Sequence, residues 1–568
     1  MPDPAPIRLG DSDLWVAAES DDVSGRDEII AGWGNTMRDG LGVRAERGGV
    51  EVAVVGGLVL DPVMGVRATS IGISDGRIVC IGRAGNPDTM DGIGVVLDTG
   101  TAVFDARGLV VTPGGIDCHV HLLSPQVCDA ALAAGLTTLV TQDFGPVWNL
   151  GTNPPEAESM MWSALDAIPI NVAMLVRASS AQPGPVEHAL ARGGAGLKIH
   201  EDVSAGPEQI RCALDIADRH DVQLAIHTDG LNETLSLEDT YAAFGGRTVH
   251  AYHIEGVGGG HAPNLLELAG RDRVLTSSTS PTVPFGAGAE AEHLAMVAAV
   301  HVLEPGTRAG DAEILRHRVR DWTMAAESVL HDLGVIHMLS SDSQGMGRIG
   351  EVVRRAFQCA DTMKAQAAAE PGAADNERVL RYLAKVTINP AITHGLAADV
   401  GSLEVGKLAD LVLWAPEFFA VRPELILKAG MPAWGSSGDG DGSTMMVEPV
   451  TVGPQFAAAG SAPAQTSLAF LAGASMEAEL PTQRVRARVR RLPRPDGSRH
   501  GAEHPHRHGD GGCGRARGAI GRRADAGAAG GAAGLLRLLP AGLTACREYG
   551  FLVAATETLP ILYLSLIT

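Results

Sequence analysis

The sequence predicts an α/β fold: a closed (β/α)8 TIM-type barrel with a discontinuous β-rich second domain, formed by the N-terminal region and the post-barrel segment. Three observations predict it. Eight short, mostly apolar segments between residues 114 and 343 read as strands and alternate with helix-like stretches. Residues 50–110 and 401–419 both read as β-structure, one on each side of that repeat. Histidine, lysine and aspartate stand at the C-terminal ends of the predicted barrel strands, the ends that converge on one mouth in such a barrel.

At the N-terminus, EVAVVGGLVLD, SIGISDGRIVCIG and AVFDARGLVVTPG alternate in polarity and are broken by Gly, Asp and Pro, as strands and turns are. Residues 1–112 are therefore assigned to the first part of the β-rich domain. The barrel is assigned to 113–400. Its strands are GGIDCHVH (114–121), TTLVTQDF (137–144), INVAMLV (170–176), GLKIHED (196–202), QLAIHTD (223–229), TVHAYHIE (248–255), RVLTSSTSP (273–281) and VIHMLSSDS (335–343). PQVCDAALAAG (125–135), PEQIRCALDIADRHD (207–221) and GEVVRRAFQCADTMKAQ (350–366) read as helices between them. An open doubly wound sheet is the alternative arrangement of the same elements. GSLEVGKLADLVLWAPEFF (401–419) opens the second β-rich part, 401–478. Beyond it, 479–568 reads as a divergent low-complexity tail, disordered or the product of a shifted reading frame. Residues 484–536 hold twelve Arg and no Lys, with no strand or helix period.

A chain of 568 residues exceeds one ordinary core. Its net charge of −22 argues against nucleic acid or an anionic membrane as partner. The seven cysteines show no CxxC spacing, so neither a zinc ribbon nor a disulfide framework is indicated, and a reducing cytoplasm is expected. MPDPAPIRLGDSD has neither the basic start nor the apolar core of a signal peptide. No uncharged apolar run reaches the about 18 residues needed to span a membrane.

The strand ends carry the chemistry. His119 and His121 close the first strand; Lys198 and His200 share a face of the fourth; His227, His253 and Asp342 end the fifth, sixth and eighth. Residues two apart on a strand share a face, so HxH aims two imidazoles the same way. Four of these imidazoles and a carboxylate exceed what one open tetrahedral site needs, and a bridged pair of ions about 3.5–4 Å apart fits better. Imidazole suits Zn, Ni, Cu or Fe alike. A lysine with its ordinary pKa of about 10.4 is protonated near neutrality and cannot bind metal. The neutral amine of Lys198, reacting with CO2, gives a carbamate anion with one oxygen for each ion.

These segments, together with AIHTDGLNE, GGRTVHAYHIEGVGGGHAPN, VLHDLG, SSDSQGMGR, TINPAITHG and GSLEVGKLADLVLW, resemble the urease alpha (catalytic) subunit within the amidohydrolase superfamily, from about residue 8 to about residue 475. HVH and ADLVLW are shared with many amidohydrolases, whereas KIHED, HIEGVGGGHAP and SSDSQGMGR are particular to urease. The resemblance implies two nickel ions bridged by carbamylated Lys198. His227 and His253 would bind one ion; His119, His121 and Asp342 the other. His200 would hydrogen-bond the urea carbonyl oxygen, and the Gly345 carbonyl would receive a urea N–H. EHLAMVAAVHVLEPG (292–306) looks like a flap over the site, with His301 as its histidine and Asp202 and Arg318 orienting it. Urease beta and gamma subunits, nickel-delivering accessory proteins and a higher oligomer are the implied partners.

The chain departs from the family pattern in places. Val300 stands where the flap usually carries cysteine, and DFGPVWNLGTNPPEAE (143–158) differs from the usual GGGTGP-type segment, so no substrate contact is assigned there. A zinc amidohydrolase acting on another amide or cyclic ureide, and an inactive structural subunit or damaged gene product, are the alternatives.

Overall fold

A computed structural model describes residues 5–23, 40–142, 155–200, 205–228, 236–255, 265–300, 319–367, 369–437 and 451–490. Eight parallel strands follow one another around a barrel in chain order: β1 (Gly115–His121), β2 (Leu136–Gln142), β3 (Asn171–Arg177), β4 (Gly196–His200), β5 (Leu224–His227), β6 (Val249–Tyr252), β7 (Val274–Thr279) and β8 (Met338–Ser340). Every residue of β1, β2 and β4 is buried, because helices cover the outer face of a parallel sheet while side chains fill its interior. That two-sided burial is why these segments read as near-continuous apolar runs. The ring closes beyond β8, where Asp342 donates its N–H to the His119 carbonyl at 2.9 Å and His121 donates to the Ser343 carbonyl at 2.9 Å.

The covering helices obey local rules. The helix Pro207–His220 starts with proline in its first turn, where no N–H is needed, and buries Ile210, Ala213, Leu214 and Ala217 along one face. Asp221, left-handed at φ 56°, ends it. Val352–Gln366 likewise buries Val352, Val353, Ala356, Phe357 and Ala360.

The second sheet draws on both flanks of the barrel. Its order runs through Thr451–Pro454, Met431–Ser437, Leu425–Lys428, Leu411–Trp414, Val110–Pro113, Val52–Asp61, Gly65–Ser74, Arg77–Gly85 and Ile93–Val96. Val110–Pro113 is the junction: it pairs antiparallel with Leu411–Trp414 and parallel with Val52–Asp61, then leads directly into β1. The ADLVLW stretch thus completes a sheet begun more than half the chain earlier, as the β-like reading of both segments anticipated.

A buried polar junction ties the two sheets. Asn171, first residue of β3, donates to Thr138 Oγ1 at 2.9 Å and to Asp410 Oδ2 at 2.7 Å, and accepts from the Leu468 N–H at 2.8 Å. Lys428 pairs with Asp410 and donates to the Thr137 carbonyl.

Ordered backbone continues past residue 479, where the sequence reading began its tail. Leu468–Leu471 pairs with β3, and Val485–Arg488 pairs parallel with Leu468–Leu471. The buried Arg484 guanidinium donates to the carbonyls of Leu165, Ile168 and Ile170. An arginine-rich composition hides this strand from sequence patterning, although Arg486 within it donates to the carbonyls of Met476 and Ala478. Residues 491–568 lie outside the described residues, as do 143–154, Asp202, His301 and Arg318. No described helix is long and apolar enough to cross a membrane.

Candidate metal centre

The site lies at the C-terminal mouth of the barrel. β1 projects Asp117, His119 and His121 inward at every second residue; β4 projects Lys198 and His200; β5 ends at His227. His253 and Asp342 stand just past β6 and β8, both with positive φ (41° and 57°). Positive φ is costly for residues with a Cβ and is kept where surrounding structure over-determines it; here it turns both side chains back into the mouth.

The structure brings His119, His121, Lys198, His200, His227, His253 and Asp342 together, each at most 4% exposed. Asp342 is the hub. Its Oδ1 lies 3.1 Å from His119 Nε2 and 3.0 Å from His121 Nε2, and its Oδ2 lies 3.4 Å from His253 Nε2. The His119 and His227 rings meet edge-on at 4.7 Å, His227 and His253 at 4.4 Å, and His200 stacks on His227 at 3.9 Å. Lys198 Nζ sits 4.7 Å from the centroid of the Tyr252 ring.

Burial, more than any neighbour, holds these imidazoles neutral: His119 and His227 are pushed well below the ordinary value, and His121 down to about 4. Burial works to raise the Asp342 carboxyl, but His119, with His121 and His253, holds it well below the usual carboxylate range. Neutral imidazoles around a carboxylate are the protonation states that metal ligation requires.

The donor set fits a metal on its own terms. The ligand atoms of His119, His121 and His227, and those of His119, His253 and Asp342, lie within 4.8 Å of one another. These groupings share His119 and cut across the two sets that the resemblance implies. Close as they are, the buried His119 Nε2 and Asp342 Oδ1 make no well-aligned hydrogen bond among the described residues, an expense that a bound cation removes. Gly345 packs against this hub: a Cβ there would stand 2.5 Å from Asp342 Oδ1 and 3.1 Å from the His121 ring.

Three neighbours escaped the sequence reading. Asp117 shares the inward face of β1 and accepts from the backbone N–H groups of His119 at 3.1 Å and Ser341 at 3.0 Å; burial pushes its carboxyl up to about 7. Its position two residues before His119 was the available signal. Tyr252 stacks on His119 at 3.8 Å and donates to the Cys118 carbonyl at 2.9 Å. Gln142, last residue of β2, places Oε1 3.2 Å from His200 Nε2. Nothing local marks either of these two, because their roles depend on strands that meet only in the barrel.

Comparison with known proteins agrees with this architecture. Residues 110–433 match the amidohydrolase family and residues 4–104 match the urease alpha-subunit N-terminal domain. The chain is 53% identical over 490 residues to urease subunit alpha 1 of Streptomyces avermitilis, covering 85% of this chain and 88% of that one. It is 46% identical over 485 residues to urease subunit alpha 2 of Brucella melitensis, covering 83% and 84%. Among solved structures it is similar to a D-hydantoinase, with a TM-score of 0.48 and 16% identity over 68% of this chain and 95% of that one. The chain belongs to the urease alpha-subunit family of amidohydrolases.

Proposed function

We propose that this chain is the catalytic subunit of a urease and hydrolyses urea to ammonia and carbamate at two nickel ions bridged by a CO2-modified Lys198. One observation carries the reading: His119, His121 and His253 aim their Nε2 atoms at the single Asp342 carboxylate, beside Lys198 on β4, in one buried mouth.

His227 and His253 would hold one ion, His119, His121 and Asp342 the other, and carbamylated Lys198 would give an oxygen to each. When bound, the metal pair supplies a Lewis acid for the carbonyl and lowers the pKa of water. The protein's own part is to position and exclude. Buried neutral imidazoles keep their lone pairs available as ligands. His200, two residues beyond Lys198 on the same strand, faces the carbonyl oxygen of urea, and the Gly345 carbonyl receives an N–H. By the family resemblance, His301, with Asp202 and Arg318 as its orienting partners, would close with its flap to exclude bulk water and serve the departing nitrogen. The working enzyme would be a cytoplasmic higher oligomer with beta and gamma subunits, loaded by nickel-delivering accessory proteins.

Co-expression with those subunits and accessory proteins tests the reading. Bound nickel and urea-dependent ammonia release are expected, and Lys198→Ala is expected to lose both. Undiminished ureolysis in Lys198→Ala contradicts the bridging role, and bound zinc with hydrolysis of a cyclic ureide but not urea contradicts the substrate.

A further inference from the structure

Gln344 stands between two residues of the proposed site, Asp342 and Gly345. Its carboxamide oxygen accepts from the Leu123 N–H at 2.7 Å and from the Ser124 N–H at 3.0 Å. Those amides lie just past His121, where the chain leaves β1 for the helix Gln126–Ala133. Three rungs thus join the end of β1 to the turn after β8, in order along β1. The Asp342 N–H donates to the His119 carbonyl and the His121 N–H to the Ser343 carbonyl, both at 2.9 Å, and then comes the Gln344 oxygen. The last rung is made by a side chain, so it can be altered without touching the backbone. Asp342 and Gln344 are both left-handed, with φ of 57° and 61°, a conformation unfavourable for a residue with a Cβ and kept where the surroundings over-determine it. Inside the turn, the Asp342 carbonyl accepts from the N–H groups of Gly345 at 3.1 Å and Gly347 at 2.9 Å. Those bonds close the turn on itself; the Gln344 oxygen ties it to the loop that follows His121.

We propose that Gln344 is a positioning residue for the metal centre. It clamps the loop after His121 against the turn that carries Asp342 and Gly345. His121 Nε2 and Asp342 Oδ1, 3.0 Å apart, then keep their spacing when a cation is bound, and the Gly345 carbonyl keeps its aim. Gln344 acts through these neighbours and is not itself a ligand. Outer partners of this kind orient the groups that hold a metal. The proposal rests on the urease reading for the identity of the metal and the substrate, and deepens it.

Gln344→Met keeps the length of the side chain and removes the acceptor, whereas Gln344→Glu keeps an oxygen in its place. Gln344→Asn tolerates left-handed backbone but withdraws the oxygen by one methylene, and serves if the methionine variant does not fold. Two measurements test the proposal. In the metal-free complex, amide hydrogen exchange at Leu123 and Ser124 is expected to quicken in Gln344→Met and to stay at the parent rate in Gln344→Glu. In the nickel-loaded complex, nickel affinity against a chelator is expected to fall about tenfold in Gln344→Met and to be restored in Gln344→Glu. That fall corresponds to about 1.4 kcal/mol, the scale of one hydrogen bond. A side chain that only stabilised the fold would lower the thermal midpoint and leave the affinity of the folded complex unchanged. A Gln344→Met affinity within about twofold of the parent, or a Gln344→Glu variant no better than Gln344→Met, overturns the proposal. A parent complex that takes up zinc in place of nickel, or binds nickel but releases no ammonia from urea, instead defeats the urease reading; the chelator comparison, made with whichever metal is bound, then still decides the role of Gln344.

Discussion

The metal-free chain should lose stability steeply between pH 7 and pH 5, and His337 shows by how much. Its ring is buried, with Nδ1 accepting from the Thr276 N–H at 3.2 Å. A proton added there would face a backbone donor, so the neutral form is favoured twice over. Burial first, and the Lys385 charge second, push this imidazole from its ordinary 6.5 down to about 3. A group with a folded-state pKa below its unfolded value stabilises the fold fully above pH 6.5. That stability drains away as pH falls from 6.5 toward 3, because only the unfolded chain takes up the proton. At pH 5 the unfolded ring is 1.5 pH units below its pKa and the folded ring is still neutral, which is about 2 kcal/mol at 1.36 kcal/mol per unit. His394, pushed down to about 3 chiefly by burial and 3.0 Å from His250 through Nε2, contributes a similar amount. Asp117, raised to about 7, acts in the opposite direction, so the decisive quantity is a difference between variants. His337→Asn keeps an acceptor for the Thr276 N–H but cannot titrate. Guanidinium denaturation at both pH values is the assay, since urea is the expected substrate. The variant should lose about 2 kcal/mol less than the parent between pH 7 and pH 5. An equal loss in both chains refutes the linkage argument, whatever the absolute stability.

Three further outcomes follow from other parts of the molecule. Gly345→Ala would press a Cβ to 2.5 Å from Asp342 Oδ1, so metal affinity measured against a chelator should fall about 10–100-fold; unchanged affinity would separate Gly345 from the ligand shell. Lys428→Met leaves the Asp410 carboxylate buried without its cation and should cost about 3–5 kcal/mol, read from the guanidinium midpoint; a change below about 1 kcal/mol would make the junction incidental. Because Val300 replaces the usual flap cysteine, alkylating thiol reagents should leave ureolysis intact, and rapid inactivation that urea prevents would contradict this.

Some of this protein was determined by local sequence alone. Parallel strands buried on both faces must be apolar throughout, so β1 to β8 announced themselves within a residue or two at most ends, and HVH declared its shared face through the two-residue period of a strand. The end of β8 was drawn too long, because beyond Ser340 the chain leaves the ladder for turns whose geometry no periodicity encodes, whereas residues 201 and 202 of the fourth predicted strand lie outside the described residues. Lys198 on an apolar strand was legible as an anomaly, because burying a charge there is too costly to be ordinary. The strand at Val485–Arg488 was not legible, since its arginines resemble a solvated tail until Arg484 is seen spending its donors on three carbonyls. Only the tertiary structure could decide that Asp342 is the hub, that Tyr252 floors His119, and that Gln142 holds His200. Each is a contact between strands far apart in the chain, and whether such atoms meet depends on how the barrel closes, which no local pattern records.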